Sequence, residues 1–316
     1  MSAPGAGHEF KPYPVAWNKR DCLLFANSIG GTVDELQFLY ELHPSFSVFP
    51  TYPILLPFKH EEQDVIDFYA AQSSSSMAIP GAPKLDPKRV VDGERAMTFY
   101  EPLPTTSAGR KFEIRGKCIG IYDKGKPGTV VESQNDLVDA ESGEVYARMT
   151  GSGFYVAQGG WGGPKGPKAP NYNPPEGKEP DAVYEQATSA EMAHLYRLNG
   201  DYNPLHATPE PGKQMGFGGA IMHGLYSWNT SCHSLLKTMG GSDPKNIKEF
   251  AARFASPVLP GDTLVVQMWK MGEKDGEGFE EVRFVTTVKK TGKVCLSNGR
   301  AKVKVVGQKE NRTSKL

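Results

Sequence analysis

Two segments of the chain, at 112–122 and 263–270, alternate apolar and polar positions and lie about 150 residues apart. A glycine-bearing turn follows each segment, at 123–128 and at 273–278. Two further β-rich segments come after each turn, hinged at Ser142-Gly143 in the first half and at Thr291-Gly292 in the second. Alternation at period two between glycine turns predicts antiparallel hairpins in both halves.

Helical patterns are fewer. Residues 20–29 and 33–42 are helix candidates, and 224–239 predicts a longer helix with apolar residues at helical spacing. Thr188 and Glu191 have the spacing of a capping box that opens a helix through Leu198. One main helix per half beside an antiparallel sheet predicts an α+β fold, because a curved sheet around a helix buries both apolar faces.

A stretch rich in glycine, proline and lysine separates the two similar halves. The spacing is too long for a solenoid and favours a duplicated domain. We therefore predict an N-terminal repeat at 1–158, a linker at 159–180, a C-terminal repeat at 181–308 and a tail at 309–316. The serine-rich loop at 72–87 is predicted to be a surface excursion whose role is open.

Charge and composition narrow the class of protein. Lys and Arg total 36, as do Asp and Glu, and a nucleic-acid binder would usually have a basic excess. No apolar run approaches the roughly 20 residues of a membrane helix. The four cysteines are widely spaced without a CxxC pair, which indicates neither a disulfide framework nor a zinc cluster. We expect a globular protein of a reducing compartment, with no nucleic-acid or membrane partner.

The two ends of the chain bear on its location. Residues 1–8 are small and polar and lack the apolar stretch of a secretory signal. The chain ends in Ser314-Lys315-Leu316, which has the form of a peroxisomal import address. Chance is the alternative, but the tripeptide favours the peroxisome as location and its import receptor as a partner.

The densest cluster of chemically useful residues is at 196–206. Gly200 can end one helix, and Asn203-Pro204 suits the start of a short helical turn. Asp201 and His206 flank that break, so their side chains can converge and polarise one water molecule. A helix N-terminus also favours the neutral imidazole. The alternative is that Asp201 and Asn203 only cap the turn and His206 only packs.

Gly224 is a second candidate, in the segment 218–225. It begins the long predicted helix, so its backbone N–H lacks an intrahelical acceptor and can face a developing oxyanion. A glycine that merely permits helix–sheet packing is the alternative. No GxGxxG after a strand, GxxxxGK[ST] or HExxH pattern occurs, so neither a nucleotide nor a metal is predicted. His223 and His233 are interpreted as packing or polar-contact residues.

Residues 195–206, which read LYRLNGDYNPLH, resemble the signature of the (R)-specific 2-enoyl-CoA hydratases, also called hydratase 2 or MaoC-like proteins. Residues 221–225 and 252–261 look like two further family blocks. Matches at 39–41, 92–94 and 100–104 extend the resemblance over nearly the whole chain. The chain is similar to the hydratase 2 unit of the peroxisomal multifunctional enzyme of fatty-acid β-oxidation.

The resemblance implies a double hot-dog fold, with two antiparallel sheets that each wrap a central helix, and a homodimer. It implies reversible hydration of trans-2-enoyl-CoA to (3R)-3-hydroxyacyl-CoA, with no cofactor other than the CoA of the substrate. Asp201 and His206 match the catalytic pair, Asn203 the asparagine that supports it, and Gly224 the donor to the thioester oxygen. The expected substrate contacts are Glu41, Asp92, Gly93, Lys124, Tyr202, Pro204, Leu205 and Phe254.

Two alternatives stay open. A MaoC-like dehydratase could act on a specialised, polyketide-type acyl thioester, or a non-catalytic hot-dog protein could bind acyl-CoA. The intact Asp201 and His206 pair favours catalysis over binding alone. The family position of Asp92 often holds a histidine, so its contact is open, and the sequence leaves the acyl-chain length open as well.

Overall fold

The computed structural model describes residues 3–70, 79–86 and 89–306. The predicted tail at 309–316, with Ser314-Lys315-Leu316, lies outside the described residues, as does half of the serine-rich loop at 72–87. Among the described residues, no helix combines the length and the apolar character needed to cross a membrane.

Ten strands form one antiparallel sheet in the order β1-β3-β4-β5-β2-β7-β10-β9-β8-β6. Their bounds are β1 (Tyr13–Val15), β2 (Val90–Phe99), β3 (Phe112–Asp123), β4 (Gly128–Asp139), β5 (Val145–Val156), β6 (Ala182–Ala187), β7 (Ile247–Phe254), β8 (Thr263–Lys274), β9 (Glu280–Val288) and β10 (Val294–Val303).

The two halves of this sheet have the same topology. The first runs β1-β3-β4-β5-β2 and the second β6-β8-β9-β10-β7. In each half, three consecutive strands form a meander, β3-β4-β5 in the first and β8-β9-β10 in the second. The two predicted alternating segments lie in β3 and β8, the corresponding strands of the halves. The predicted α+β class and the internal repeat are therefore confirmed.

The helices are α1 (Lys19–Ser28), α2 (Leu36–Leu39), α3 (Leu56–Lys59), α4 (Met192–Tyr196), α5 (Pro209–Gln214) and α6 (Gly224–Gly240). Short 3-10 helices lie at Tyr52–Leu55, Arg197–Asn199, Pro204–His206 and Pro244–Asn246. The longest, α6, is buried over most of its length against β6, β7, β8 and β10. It is the central helix of the second half.

The predicted helix at 33–42 is wrong in extent, since only the four-residue α2 forms there. Glu35, just before α2, is turned into the interior, where its carboxylate bonds to His233 and Ser242. The backbone is already extended at Tyr40, where α2 ends. Contacts with the second half thus override the local helical pattern.

The predicted capping box at Thr188 and Glu191 is also wrong. The Thr188 hydroxyl donates instead to the backbone carbonyl of Asp262, at 2.7 Å. Helix α4 begins after Glu191 without a side-chain cap. Thr188 lies directly after β6, so its hydroxyl extends the β6–β8 pairing instead of starting the helix.

The halves meet where β2 pairs with β7, from Glu94↔Arg253 to Thr98↔Glu249. Helix α6 reinforces this seam because the Trp228 indole N–H donates to the Arg95 carbonyl on β2, at 3.2 Å. One core runs beneath both halves. Strands of the first half can therefore contribute to a site built in the second.

No helix or strand forms between β5 and β6, in the predicted linker. The Asp123 carboxylate fixes the start of this segment by accepting the backbone N–H groups of Gly160 and Gly162, at 2.7 and 2.8 Å. The Trp161 indole N–H donates to the Thr129 hydroxyl. The start of the segment is thus attached to the first half, whereas Pro170 and Tyr172 bond to the Asn298 side chain of the second half. The exact domain boundaries stay a prediction.

Candidate active site

The bend at 200–206 has the predicted local structure. Gly200 follows a 3-10 helix with φ 125°, a conformation that a residue with a side chain rarely adopts. The Asn203 side chain accepts the Leu205 N–H at 3.0 Å and caps the turn that starts at Pro204. Asp201 accepts the Asn203 N–H at 3.2 Å. The capping described by the alternative interpretation therefore exists, and it orients the carboxylate.

Asp201 and His206 converge across this bend. One side-chain ligand atom from each of Asp201, His206 and His223 lies within 4.8 Å of the other two. The His206 ring is buried, and its Nδ1 is 2.9 Å from the Ile221 carbonyl oxygen. A carbonyl only accepts, so Nδ1 carries the proton and the neutral ring keeps its lone pair on Nε2. His206 is thereby held in the tautomer that can accept a proton there.

The electrostatics of the pair favour uncharged forms. Burial raises the pKa of Asp201, and the nearby Asp92 charge adds to this increase against the opposing effects of His206 and Asn203. Burial also lowers the pKa of His206, although Asp201 partly opposes that shift. Carboxyl and imidazole pKa values are thus moved toward each other, which eases proton exchange near neutral pH.

Gly224 is the first residue of α6, so its N–H has no acceptor within the helix. A Cβ at this position would lie 3.1 Å from the Phe254 ring, closer than side chains normally approach. The Phe254 ring therefore packs against the Gly224 backbone on the side where a Cβ would lie. A glycine leaves this backbone accessible to a thioester oxygen in the way the resemblance implies.

The first half contributes charge to the site through β2. The register of β2 against β5 shifts between Asp92 and Glu94, which places Gly93 in a bulge. Asp92 forms an ion pair with Arg95 at 2.5 Å. The negative charge of Asp92 favours the protonated forms of Asp201 and His206 and so tends to raise the pKa of each. The site is therefore assembled from both halves.

A cavity of about 800 Å³, a volume in the range of small-molecule sites, borders Asp92 and Gly93, whereas Asp201, His206 and Gly224 are not among its lining residues. Four of the expected substrate contacts line it, namely Asp92, Gly93, Lys124 and Phe254. Its other walls come from β4, β5, Arg253 on β7 and linker residues 167–170. The cavity thus extends from the neighbourhood of Gly224 along the outside of the first half.

The other expected contacts lie elsewhere. Glu41 is exposed beyond α2 and is not among the residues that line the cavity. Tyr202 stacks under the Arg197 guanidinium, 5.1 Å from the ring centre. Leu205 accepts the Ile221 N–H through its carbonyl, and Pro204 begins the turn. In this structure, Tyr202, Pro204 and Leu205 shape the bend, and their contact with substrate stays a prediction.

His223, interpreted from the sequence as a packing or polar-contact residue, makes both kinds of contact beside the pair. Its ring stacks on that of His206, with centroids 3.8 Å apart and planes at 27°. Its position directly before Gly224 is the sequence signal that places it near the site. Arg95 and Arg253 were missed altogether, because their proximity to the site depends on the β2–β7 seam.

Asp201, His206 and His223 are donors of the kind that bind transition metals. The lone pairs of an imidazole lie in the ring plane, and the two rings here are stacked nearly parallel. Their lone pairs therefore run side by side instead of meeting at one point, which fits a metal poorly. The expectation that the reaction needs no metal or other cofactor stays a prediction.

The fold and the site together define a two-repeat hot-dog protein with an acid–imidazole centre. Residues 15–157 match the family model described as the MFE-2 hydratase 2 N-terminal domain, and residues 171–294 match the MaoC like domain. A probable dehydratase of Ajellomyces capsulatus is 50% identical over 94% of this chain and 81% of its own. A probable enoyl-CoA hydratase 2 of Dictyostelium discoideum is 31% identical over 92% of each chain.

Solved structures of similar proteins indicate the same family and fold. A MaoC-like dehydratase from Phytophthora capsici matches with a TM-score of 0.80 at 35% identity, over 96% of this chain and 97% of that one. Peroxisomal multifunctional enzyme type 2 from Drosophila melanogaster matches with a TM-score of 0.74 at 29% identity, and this chain spans 48% of it. A Mycobacterium tuberculosis protein described as having a double hot-dog fold matches at 0.55 and 11% identity, over 94% and 95% of the two chains.

The chain therefore belongs to the MaoC-like, hydratase 2 family, as its motifs predicted. The double hot-dog fold is confirmed, and the protein is a hydro-lyase.

Proposed function

We propose that this protein hydrates trans-2-enoyl-CoA reversibly to (3R)-3-hydroxyacyl-CoA in peroxisomal fatty-acid β-oxidation. The observation that carries the proposal is the convergence of Asp201 and His206 close to His223, which directly precedes Gly224. The cavity of about 800 Å³, lined in part by Asp92 and Phe254, supplies space for a ligand. Relatives named enoyl-CoA hydratase 2 and a structural neighbour named as peroxisomal support it.

In the proposed reaction, Asp201 and His206 hold one water molecule between the carboxyl group and the imidazole Nε2. The water oxygen forms a bond to carbon 3 of the enoyl group, and one of its protons passes to the pair. Electron density moves onto the thioester oxygen, where the Gly224 N–H donates a hydrogen bond. The pair then delivers a proton to carbon 2, so that the elements of water are added across the double bond.

Each group has a magnitude that fits its role. General acid–base help by a positioned pair contributes about 100- to 10,000-fold to the rate. A well-placed oxyanion donor contributes about 2.7–4 kcal/mol to stabilisation of the transition state. Electrostatics and proton transfer thus account for a large share of the catalysis proposed for this chain.

The acyl-CoA is proposed to occupy the cavity, with its reacting end toward Gly224 and Phe254. Lys124 lies on the cavity wall and is exposed, and its ammonium group, which donates to the Lys165 carbonyl oxygen, is proposed to bind the CoA phosphates as well. Asn203 supports the pair by holding the bend on which Asp201 is placed.

The test is an assay of purified enzyme with crotonyl-CoA and trans-2-decenoyl-CoA, with chiral analysis of the product. We expect (3R)-3-hydroxyacyl-CoA from at least one of the two substrates. Formation of the (3S) product, or turnover of neither substrate, would contradict the proposal.

A specialised dehydratase is the second candidate, and the relative named as a probable dehydratase favours it. Hydration and dehydration are two directions of one reaction, so the chemistry at Asp201 and His206 would be the same. Failure with both simple enoyl-CoA substrates, together with dehydration of a branched or polyketide-type thioester, would support this candidate. Binding of acyl-CoA with no turnover of any thioester would instead support a non-catalytic protein.

Location and assembly are further parts of the proposal. The C-terminal Ser314-Lys315-Leu316 would bind the peroxisomal import receptor, and deletion of these three residues is expected to leave activity intact and move a fluorescent fusion to the cytosol. A fusion that stays peroxisomal after the deletion would contradict the assignment. The protein is also proposed to be a homodimer, and light scattering during gel filtration measures this directly.

A further inference from the structure

His223 contacts three parts of the candidate active site at once. Its Nε2 is 3.1 Å from the Asp201 carbonyl oxygen, and its ring stacks on His206. It directly precedes Gly224 and occupies the position that caps the N-terminus of α6. The ring is buried, with 1% of its surface exposed, and it is not among the residues that line the cavity.

The hydrogen bond fixes the state of this ring. Because the Asp201 carbonyl can only accept, His223 donates through Nε2–H, and in the neutral ring Nδ1 keeps its lone pair. Nδ1 is buried and has no partner among the described residues. Burial, followed by the His206 charge, holds the pKa of His223 well below its usual range. The ring is therefore uncharged while His206 exchanges protons beside it.

The His223 ring also contacts a third aromatic ring, that of Tyr196. The Tyr196 ring lies 5.0 Å away, at 57°, and its hydroxyl accepts a hydrogen bond from the Asn229 side chain at 2.8 Å. Asn229 lies on α6, the same helix that begins beside His223. Ring contacts from Tyr196 to His223 and from His223 to His206 thus connect the central helix to the imidazole of the catalytic pair.

We propose that His223 is a positioning residue of the reaction, which holds the His206 plane by stacking and the Asp201 backbone by its Nε2–H. This inference rests on the proposed function, because the reaction whose geometry it maintains is the one assigned to Asp201 and His206. His223 is proposed to act through these two residues, because its N–H is used by the Asp201 carbonyl oxygen and its ring lies against that of His206. Its loss is therefore expected to lower kcat while KM changes little.

Two substitutions separate the two contacts. His223→Phe keeps an aromatic ring for the stack and removes the N–H donor, whereas His223→Gln keeps a donor and removes the ring. Misplacement by about 1 Å can cost about a hundredfold in rate, so we expect each variant to lose about 10- to 100-fold in kcat. KM for the enoyl-CoA is expected to stay within about threefold of wild type.

His233→Gln and His233→Phe are the matched controls. His233 is on the same helix and equally buried, but it bonds to Glu35, away from the bend. These variants are expected to unfold at lower temperature and to keep kcat per folded molecule within about threefold. Loss of kcat in the His233 variants equal to that in the His223 variants, or normal kcat in both His223 variants, would overturn the proposal.

A measurement on the wild-type protein covers the case in which the variants do not fold. In histidine-labelled enzyme, nitrogen NMR should show His223 as the neutral Nε2–H tautomer from about pH 5 to pH 8. A protonated ring or an Nδ1–H tautomer would overturn the proposal, as would direct coordination of added Zn²⁺ by Nδ1. This result is independent of the enoyl-CoA assay, so failure of the proposed function would be recognised separately.

Discussion

Two buried carboxylate–imidazole clusters among the described residues can be compared, because the carboxyl pKa is raised in one and lowered in the other. Asp201 and His206 form the first, and Glu35 and His233 the second, with Glu35 Oε2 2.8 Å from His233 Nε2. The Asp201 carboxylate accepts one hydrogen bond in the described structure, from the Asn203 N–H. The Glu35 carboxylate accepts from five groups, namely the His233 ring, the Ser242 hydroxyl, the Lys237 ammonium, and both the N–H and the hydroxyl of Thr32.

The number of donors explains the difference in titration. Burial opposes the ionisation of both carboxyl groups, and at Asp201 it prevails and raises the pKa. At Glu35 the bond and charge of His233, followed by the bonds of Ser242 and Thr32, outweigh burial and hold the pKa well below its usual range. A carboxylate with its bonding capacity filled contributes stability, whereas one left partly unfilled remains available for a reacting proton.

The largest expected effect comes from removing the acid–base groups of the first cluster. Asp201→Asn and His206→Gln should each lower kcat by about a hundredfold or more, because each removes a proton acceptor. The melting temperature should change little, since the substitutions keep the size of the side chains. Steady-state kinetics and calorimetry measure the two effects. A variant with near wild-type kcat and normal unfolding would remove that residue from the catalytic assignment.

A smaller loss is expected at the backbone donor. In Gly224→Ala the new Cβ meets the Phe254 ring at 3.1 Å, so either the ring or the start of α6 must move. We expect kcat to fall about tenfold, less than the 100- to 1,000-fold loss from complete removal of an oxyanion donor. Adding Phe254→Leu should restore part of the rate by making room. If Gly224→Ala is fully active, the position does not require a glycine.

The second cluster should respond in stability and not in rate. Glu35→Gln breaks a buried pair and is expected to lower the free energy of unfolding by about 3–5 kcal/mol at neutral pH. The rate per folded molecule should stay unchanged. Denaturant unfolding and kinetics on the folded fraction test both statements, and a hundredfold loss of kcat here would abolish the distinction between the clusters.

The smallest effect is the pH dependence of the difference in unfolding free energy between wild type and Glu35→Gln. The pKa of Glu35 is lower in the folded chain than in the unfolded chain, where it is about 4.3. Its stabilising contribution is therefore complete above that pH and is lost as the pH falls toward the folded value. The gap in unfolding free energy between wild type and Glu35→Gln should be constant above about pH 5 and should shrink as the pH falls below about 4.3. A constant gap would show that ionisation of Glu35 is not its source.

The reactive bend was predictable from sequence because it is local. Gly200, Asn203 and Pro204 have strong backbone preferences, and these set the turn that brings Asp201 toward His206. The sheet was predictable for a similar reason, since alternation and glycine turns recur in both halves. The prediction of a helix at 33–42 was wrong because the structure there depends on the contact of Glu35 with His233 on the distant α6.

The contacts across the sequence could not be predicted. Glu35 and His233 are 198 positions apart, and no spacing rule connects them. Asp92 reaches the site only because β2 pairs with β7, and the role of His223 depends on the approach of two rings from separate turns. These features follow from tertiary packing, which propensity and periodicity do not encode.

The β2–β7 seam also decides what happens if the gene is shortened. Separating the repeats would expose β2 and β7 as unpaired edges, each with a row of free N–H and C=O groups. Such edges recruit strands of other molecules, so a single repeat is expected to aggregate when expressed alone. The proton chemistry proposed for this chain lies in the second repeat, but the pairing of β2 with β7 predicts that neither repeat stays soluble without the other.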